Sequence, residues 1–405
     1  MKTSSWKEVP LEAIAAPSRY PIGDGDHGAI KPSMYATSGI PYIRVADIAN
    51  GEIQKAKLVY ISRSVHRDNP KSHLFPNDIL ISKTGATIGK VAIIPPDIEE
   101  ANTTSSVGKI TIDPKKALPR FVVHYLRSPR FQAAMWAVSH KSAQPGFNIK
   151  DLKQFRIPLP TLAEQEGIVK LLDEVDELRK LRAQADRRTA DLIPALFHEM
   201  FGENTKKPLA RVRLEQIAEV VSGVAKGRKF NGRLPVEVPY LRVANVQAGH
   251  LDLSEIKTIQ ALPEEVEELA LQKGDVLLTE GGDFDKLGRG AMLEQDLPNC
   301  IHQNHVFRVR VEQSKLNPVY LARFLLTGEA RGYFLGCAKR TTNLASINMT
   351  QLRALPVHLP PLTLQNQFAA RVSEIRAVQD EQSASHRRLD ELFQSMLHRA
   401  FNGEL

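Results

Sequence analysis

The sequence predicts an α+β chain written twice, as two mixed domains each followed by a long helix. Three observations predict it. A set of segments recurs at a nearly constant offset close to 200 residues, short β-branched runs are punctuated by Gly, Pro and Asn, and two long stretches carry apolar residues at steps of three and four.

The repeat comes first because it sets the boundaries. Ile40-Pro41-Tyr42-Ile43-Arg44-Val45-Ala46-Asp47-Ile48 returns as Val238-Pro239-Tyr240-Leu241-Arg242-Val243-Ala244-Asn245-Val246. Asp78-Ile79-Leu80-Ile81 returns as Asp275-Val276-Leu277-Leu278, and Ile157-Pro158-Leu159-Pro160 as Val357-His358-Leu359-Pro360. Asn148 and Leu152 fall on Asn348 and Leu352, and His198 and Phe201 on His398 and Phe401. Two copies at so long a period indicate a duplicated domain, not a solenoid. The expected segments are mixed domains at 1–160 and 204–360, with helices at 161–203 and 361–405.

In the first mixed domain, Tyr42–Ile48, Ile79–Ser82, Lys90–Ile94 and Lys109–Ile112 read as strands. An amphipathic helix opened by Pro follows at Pro119–Leu126 and again at Pro318–Leu326, with Asn317 placed to cap the second. The long helices are entered through Pro-rich turns. Ile168, Leu171, Val175, Leu178, Arg182, Ala185, Thr189 and Leu192 form a 3.5-residue seam in the first. Phe368, Ile375, Val378, Leu389, Leu392 and Met396 form its counterpart in the second. Pro194 should kink or end the first helix.

Length and composition bound the function. A chain of 405 residues, 42% hydrophobic, holds two or three domains with real cores. No apolar run reaches the ~18–20 residues of a membrane span, and two cysteines make no disulfide framework, so a cytoplasmic protein is expected. The net charge of +8 is unevenly placed: residues 1–160 carry +9 and 201–360 carry +3, whereas 161–200 carry −3 and 361–405 carry −1. Basic mixed domains joined by slightly acidic helices suit DNA, whose phosphates reward positive charge whatever the sequence.

Catalytic patterns are incomplete throughout. Gly85-Ala86-Thr87-Ile88-Gly89-Lys90 has the wrong spacing for a phosphate loop and is followed by Val91. Asp97 and Asp113-Pro114-Lys115 formally match a nuclease signature, but Pro114 breaks the strand that should present it. Asn317-Pro318-Val319-Tyr320 lacks the second Pro of an amino-methyltransferase loop. Cys300, His302 and His305 lack a fourth zinc ligand. The reading is of a chain that is not catalytic alone, with no metal site.

DNA reading needs Arg, Lys, Asn or Gln toward base edges and Lys, Ser, Thr or backbone N–H toward phosphates. Four polar loops supply them: Ser82–Thr87, 140–148, Lys226–Lys229 and 339–343. The candidate DNA-binding residues in copy one are Arg44, Lys83, Thr84, Lys141, Ser142, Gln144 and Asn148. In copy two they are Lys226, Arg228, Lys229, Arg242, Asn245, Lys339, Arg340, Thr341, Asn343 and Asn348.

These residues bring a family into view. The chain resembles, over essentially its whole length, the specificity subunit of type I restriction-modification systems. The resemblance is carried by Asp24-Gly25-Asp26-His27-Gly28, by Ser38-Gly39 with the Ile40–Arg44 segment, and by Gly85–Ala92. Its most specific carrier is Ser142-Ala143-Gln144-Pro145-Gly146-Phe147-Asn148-Ile149-Lys150-Asp151-Leu152, followed by Ile157-Pro158-Leu159-Pro160 and Glu164-Gln165. In copy two the carriers are Gly274-Asp275-Val276-Leu277-Leu278, Ile347-Asn348 and Leu359-Pro360-Pro361. Copy two departs from the pattern at Asn343-Leu344-Ala345-Ser346 and in the longer turn at 281–288. The resemblance implies two target recognition domains separated by two long helices packed as an antiparallel coiled coil with pseudo-twofold symmetry. It further implies a bipartite double-stranded DNA target, two adenine-methyltransferase subunits and motor-nuclease subunits as partners. S-adenosylmethionine, ATP and Mg²⁺ would belong to those partners, with no cofactor in this chain. The alternatives are a self-contained DNA methyltransferase or endonuclease, or a coiled-coil adaptor that binds only proteins.

Overall fold

The computed structural model describes residues 6–139, 145–202, 210–282, 287–340, 345–402 and 404. The chain divides into two compact units, Met1–Ala185 with Gln382–Leu405, and Asp186–Glu381. Each unit thus holds one mixed domain together with a piece of both long helices.

The first unit has two four-stranded sheets. One orders the strands Ile22–Asp24, Val107–Ile110, Ile79–Ser82 and Val91–Ile93; the other orders Val59–Ile61, Ile40–Ile43, Ala101–Thr103 and His73–Leu74. Strand Lys7–Pro10 pairs antiparallel with Arg156–Leu159, tying the start of the mixed domain to its end. The second unit repeats the plan. Ala218–Ser222, Val306–Val311, Val276–Thr279 and Gly290–Met292 form one sheet, Lys257–Ala261, Val236–Leu241 and Ile301–His302 the other, and Ala210–Arg213 pairs with Pro356–Leu359. Corresponding strands keep the same neighbours, so the duplication read from short segments is a duplication of topology.

Two buried glutamines at the same offset hold the helix entries. Gln165 Oε1 accepts from the Leu118 amide at 2.8 Å, and its Nε2 donates to the Pro160 carbonyl at 3.0 Å. Gln365 does the same with the Asn317 amide and the Pro360 carbonyl, both at 2.8 Å. Each satisfies an orphan amide beside a Pro-initiated helix, Pro119–Arg127 or Pro318–Phe324, and an orphan carbonyl at the Pro-rich turn. Asn317 caps as expected, its Oδ1 accepting from the Val319 amide at 2.9 Å.

The backbone crosses itself tightly at one equivalent point in each unit. A Cβ on Gly25 would lie 2.0 Å from the Thr103 carbonyl oxygen, and one on Gly223 would lie 1.8 Å from that of His302. Only glycine permits that approach.

Two local expectations are corrected. Tyr42–Ile48 is not one strand: it ends at Ile43, and a 3₁₀ turn at Val45–Asp47 follows, because Asp47 folds back to accept from the Arg44 amide and guanidinium. The helical seam is also displaced. Ile168 and Val175 are buried as the seam expects, but Leu171, Leu178, Val378 and Leu392 are 43–51% exposed, and Leu172, outside the seam, is buried instead, with Phe393, Leu397, Ala400 and Phe401 in the first core. The inward face is set by the mixed domain on which the helix packs as well as by the other helix. In the second unit, Phe197, Phe201, Phe368 and Val372 join the core. There Gln379 meets Thr189 while Phe368 meets Phe197, so the two helical segments run antiparallel.

The first long helix runs Leu162–Ala190 and resumes at Leu192–Phe201. Pro194 is the cause: it has no amide to offer Ala190, and its ring crowds that carbonyl. Among the described residues no helix is long and apolar enough to cross a membrane.

Candidate nucleic-acid interface

In the first unit the fully buried strand Ile79–Ser82 delivers the chain to Lys83 and a turn in which Gly85 takes φ +74°. That turn is stitched to the segment preceding the helix Ile149–Gln154. The Phe147 amide donates to the Lys83 carbonyl at 3.2 Å, the Gly85 amide to the Pro145 carbonyl at 3.3 Å, and Thr84 bridges Gly146. Two loops far apart in sequence, 82–87 and 145–148, therefore form one surface. Lys141, Ser142 and Gln144 lie outside the described residues.

The second unit converges in the same place. Gly281–Gly282 pairs with Ala345–Ser346, which pairs in turn with Lys339–Arg340. The Ile347 amide donates to the Glu280 carbonyl at 2.8 Å, as Phe147 does to Lys83. Lys339 is exposed; the Arg340 side chain, Thr341 and Asn343 lie outside the described residues.

The remaining candidates differ in how free their polar groups are. Thr84, Lys226 and Lys229 are exposed. Lys83 is only 8% exposed, with Nζ 2.5 Å from Asp24 Oδ2, while Asp24 Oδ1 lies 3.1 Å from His27. Arg44 grips Asp47 through two hydrogen bonds of 3.1 Å and donates to the Lys57 carbonyl at 2.8 Å. Its counterpart Arg242 pairs with Glu255. Asn245, standing where copy one has Asp47, is buried and donates to the Asp252 and Glu255 carbonyls. Arg228 forms a two-pronged pair with Glu265 and lies over the Phe230 ring. Asn148 and Asn348 are helix caps, accepting from the Asp151 and Gln351 amides at 3.0 and 2.9 Å and closing the box in return.

Other singled-out groups are engaged locally. Asp97 pairs with Lys55, and Asp113 accepts from the Lys115 amide. His302 Nδ1 faces the Val306 carbonyl at 2.7 Å, burial pushing the ring down to about 4, and burial raises the Cys300 thiol to about 11. Among the described residues no group of three or more His, Cys, Asp or Glu could hold a metal ion.

Two polar clusters escaped sequence reasoning: Asp24 with His27 and Lys83, and Glu280 with His305, whose Nδ1 lies 2.5 Å from Glu280 Oε2. The signal was available. Lys83 and Glu280 stand 197 residues apart, the offset of the strands that precede them.

These features define a duplicated, helix-linked recognition protein whose chemistry lies in converging polar loops. The chain belongs to the type I restriction-modification DNA specificity domain family, whose profile matches residues 30–186 and again 207–385. Such a chain carries DNA specificity and is not the catalytic component. It is 26% identical over 399 residues to the EcoKI type I restriction enzyme specificity subunit of Escherichia coli K12, covering 90% of this chain and 82% of that protein. It is 32% identical over 207 residues to the EcoBI specificity subunit of Escherichia coli, covering 49% and 42%. The fold is shared with a chain from a structure of type I R-M complex assembly and conformational transition (TM-score 0.64, 20% identity, full coverage of both chains). It is also shared with a type I restriction-modification S subunit from M. genitalium (TM-score 0.56, 16% identity, coverage 98% and 96%).

Proposed function

We propose that this chain reads a bipartite double-stranded DNA target, one half-site through each mixed domain. It would direct adenine methylation by two partner methyltransferase subunits and cleavage by partner motor-nuclease subunits, in the cytoplasm. Residues 1–160 and 204–360 are the two target recognition domains, and 161–203 and 361–405 are the helical spacers. S-adenosylmethionine, ATP and Mg²⁺ belong to the partners.

The observation that carries this reading is the convergence, at the same strand end in each unit, of two polar loops from distant parts of the sequence. A surface built by the fold and varied in its side chains is what a sequence reader requires. The candidates divide by their freedom. Exposed Thr84, Lys226, Lys229 and Lys339 contact phosphates, together with Lys141, Ser142, Arg340 and Thr341, while Gln144 and Asn343 read bases. Lys83, Asn148 and Asn348 hold those loops in register, while Arg44, Arg228, Arg242 and Asn245 are tied to neighbouring segments of their own; all seven reach DNA at most through their remaining donors.

The test is methylation profiling of randomised DNA by the chain reconstituted with its methyltransferase partner. Replacing Lys141, Ser142 and Gln144 together by Ala alters one half-site, and replacing Lys339, Arg340 and Asn343 alters the other. Equal changes at both half-sites from either triple replacement refute the two-reader account.

A further inference from the structure

The same backbone slot carries opposite charge in the two units. Lys83 and Glu280 each follow the buried strand of their sheet. Each donates its amide across the sheet, to Ser106 at 2.9 Å and to His305 at 3.0 Å. Each accepts at its carbonyl from the residue before the capping Asn, Phe147 or Ile347, at 3.2 and 2.8 Å. Four equivalent hydrogen bonds fix the slot at the point where the two loops meet.

What the slot presents differs. In the first unit both carboxylate oxygens of Asp24 are engaged, by the Lys83 ammonium and by His27, and Lys83 is buried. That cluster is internally neutralised, with each carboxylate oxygen already accepting. In the second unit, Glu280 is 34% exposed, and among the described residues it is held at Oε2 by His305, itself 56% exposed. Oε1 has no partner among the described residues, and His305 fixes the plane in which it points. The Asn304 amide lies 3.4 Å from the other ring nitrogen of His305 and steadies the ring.

On the DNA-reading face proposed above, a carboxylate is repelled by phosphates, so backbone contacts do not account for it. It gains from DNA only by accepting from an exocyclic amine, and in the major groove Glu pairs with the N4 amine of cytosine. We infer that Glu280 is a specificity-determining residue of the second recognition domain, accepting a hydrogen bond from a cytosine amine, with His305 as its positioning residue. This rests on the DNA-reading function proposed above and goes beyond it in naming the base and the atom.

The experiment profiles methylation of randomised DNA by the reconstituted complex carrying wild-type chain, Glu280→Gln, Glu280→Lys or His305→Ala. The wild type should require C·G at one pair of one half-site. Glu280→Gln should lower that requirement roughly 5- to 150-fold, the range one base contact commands, and move it toward adenine, which Gln pairs with. Glu280→Lys should move it toward guanine, and His305→Ala should weaken it without changing the preferred base. In all three the other half-site should stay as in the wild type. A purely structural Glu280 would instead change overall affinity or thermal stability and leave every base preference in place. That result, with the wild-type bipartite profile intact, overturns the assignment alone. A wild-type profile without two half-sites overturns the assignment and the proposed function together.

Discussion

Asp173 fastens the helix Pro119–Arg127 to the long helix Leu162–Ala190, and replacing it by Asn tests how the mixed domain is held to the spacer. Its carboxylate accepts from Arg120 Nε at 2.9 Å and from His124 Nε2 at 2.6 Å, while one turn on Arg127 pairs with Asp176 at 3.1 Å. Burial alone would raise the Asp173 pKa, but the His124 and Arg120 hydrogen bonds outweigh it and hold the group at about 2 against an ordinary 3.8. At 1.36 kcal/mol per pH unit that depression corresponds to about 2.5 kcal/mol. The side chain is 34% exposed, so solvent screening reduces the expected contribution to roughly 1–1.5 kcal/mol. The sign follows from linkage. A depressed carboxylate stabilises fully above its unfolded value near 3.8 and loses that contribution as pH falls toward 2. Asp173→Asn should therefore cost roughly 1–1.5 kcal/mol at pH 7.5, and the gap to wild type should narrow as pH falls below 4. His124, pushed down by burial, weakens both proteins once pH drops below its ordinary 6.5. Urea unfolding followed by tryptophan fluorescence reports on the right unit, because the only two tryptophans, Trp6 and Trp136, both belong to it. A neutral-pH cost under about 0.3 kcal/mol, or a cost unchanged at pH 3, refutes the reasoning.

Three further outcomes are expected. Gly223→Ala, whose Cβ would stand 1.8 Å from the His302 carbonyl oxygen, should destabilise the second unit by on the order of 3 kcal/mol or more, read as an earlier urea transition by circular dichroism. Lys226→Ala with Lys229→Ala should weaken binding alike on all sequences and flatten the log K against log salt slope by about 1.8, measured by fluorescence anisotropy of the reconstituted complex. Four residues inserted between Leu178 and Ala185 add about 6 Å of helix and should lengthen the central gap of the methylated motif while leaving both half-sites unchanged.

Much of the fold could be read from the chain because it rests on local signals that occur twice. Strand Ile79–Ser82, the Pro-led helices, the Asn317 cap and the break before Pro194 each follow from residue types within a few positions. The helix faces were harder. Leu171 and Leu178 satisfy a two-helix seam on paper, yet a helix shared between a partner helix and a mixed domain turns Leu172 inward instead. The candidate interface was legible as loops but not as side chains. Asn148-Ile149-Lys150-Asp151 already spells a capping box, whereas the pairing of Lys83 with Asp24, 59 residues away, depends on sheet order that no local pattern encodes. Glu280 is not legible in the sequence as a DNA contact, because an acidic residue does not suggest DNA until the slot it shares with Lys83 is seen.

The most direct test of the central claim is the methylation map produced on randomised DNA by the wild-type chain assembled with its methyltransferase partner. Two recognition domains joined by helices predict two short specified half-sites separated by a gap of fixed length and free sequence. A single contiguous motif, or methylation without sequence preference, would contradict the account.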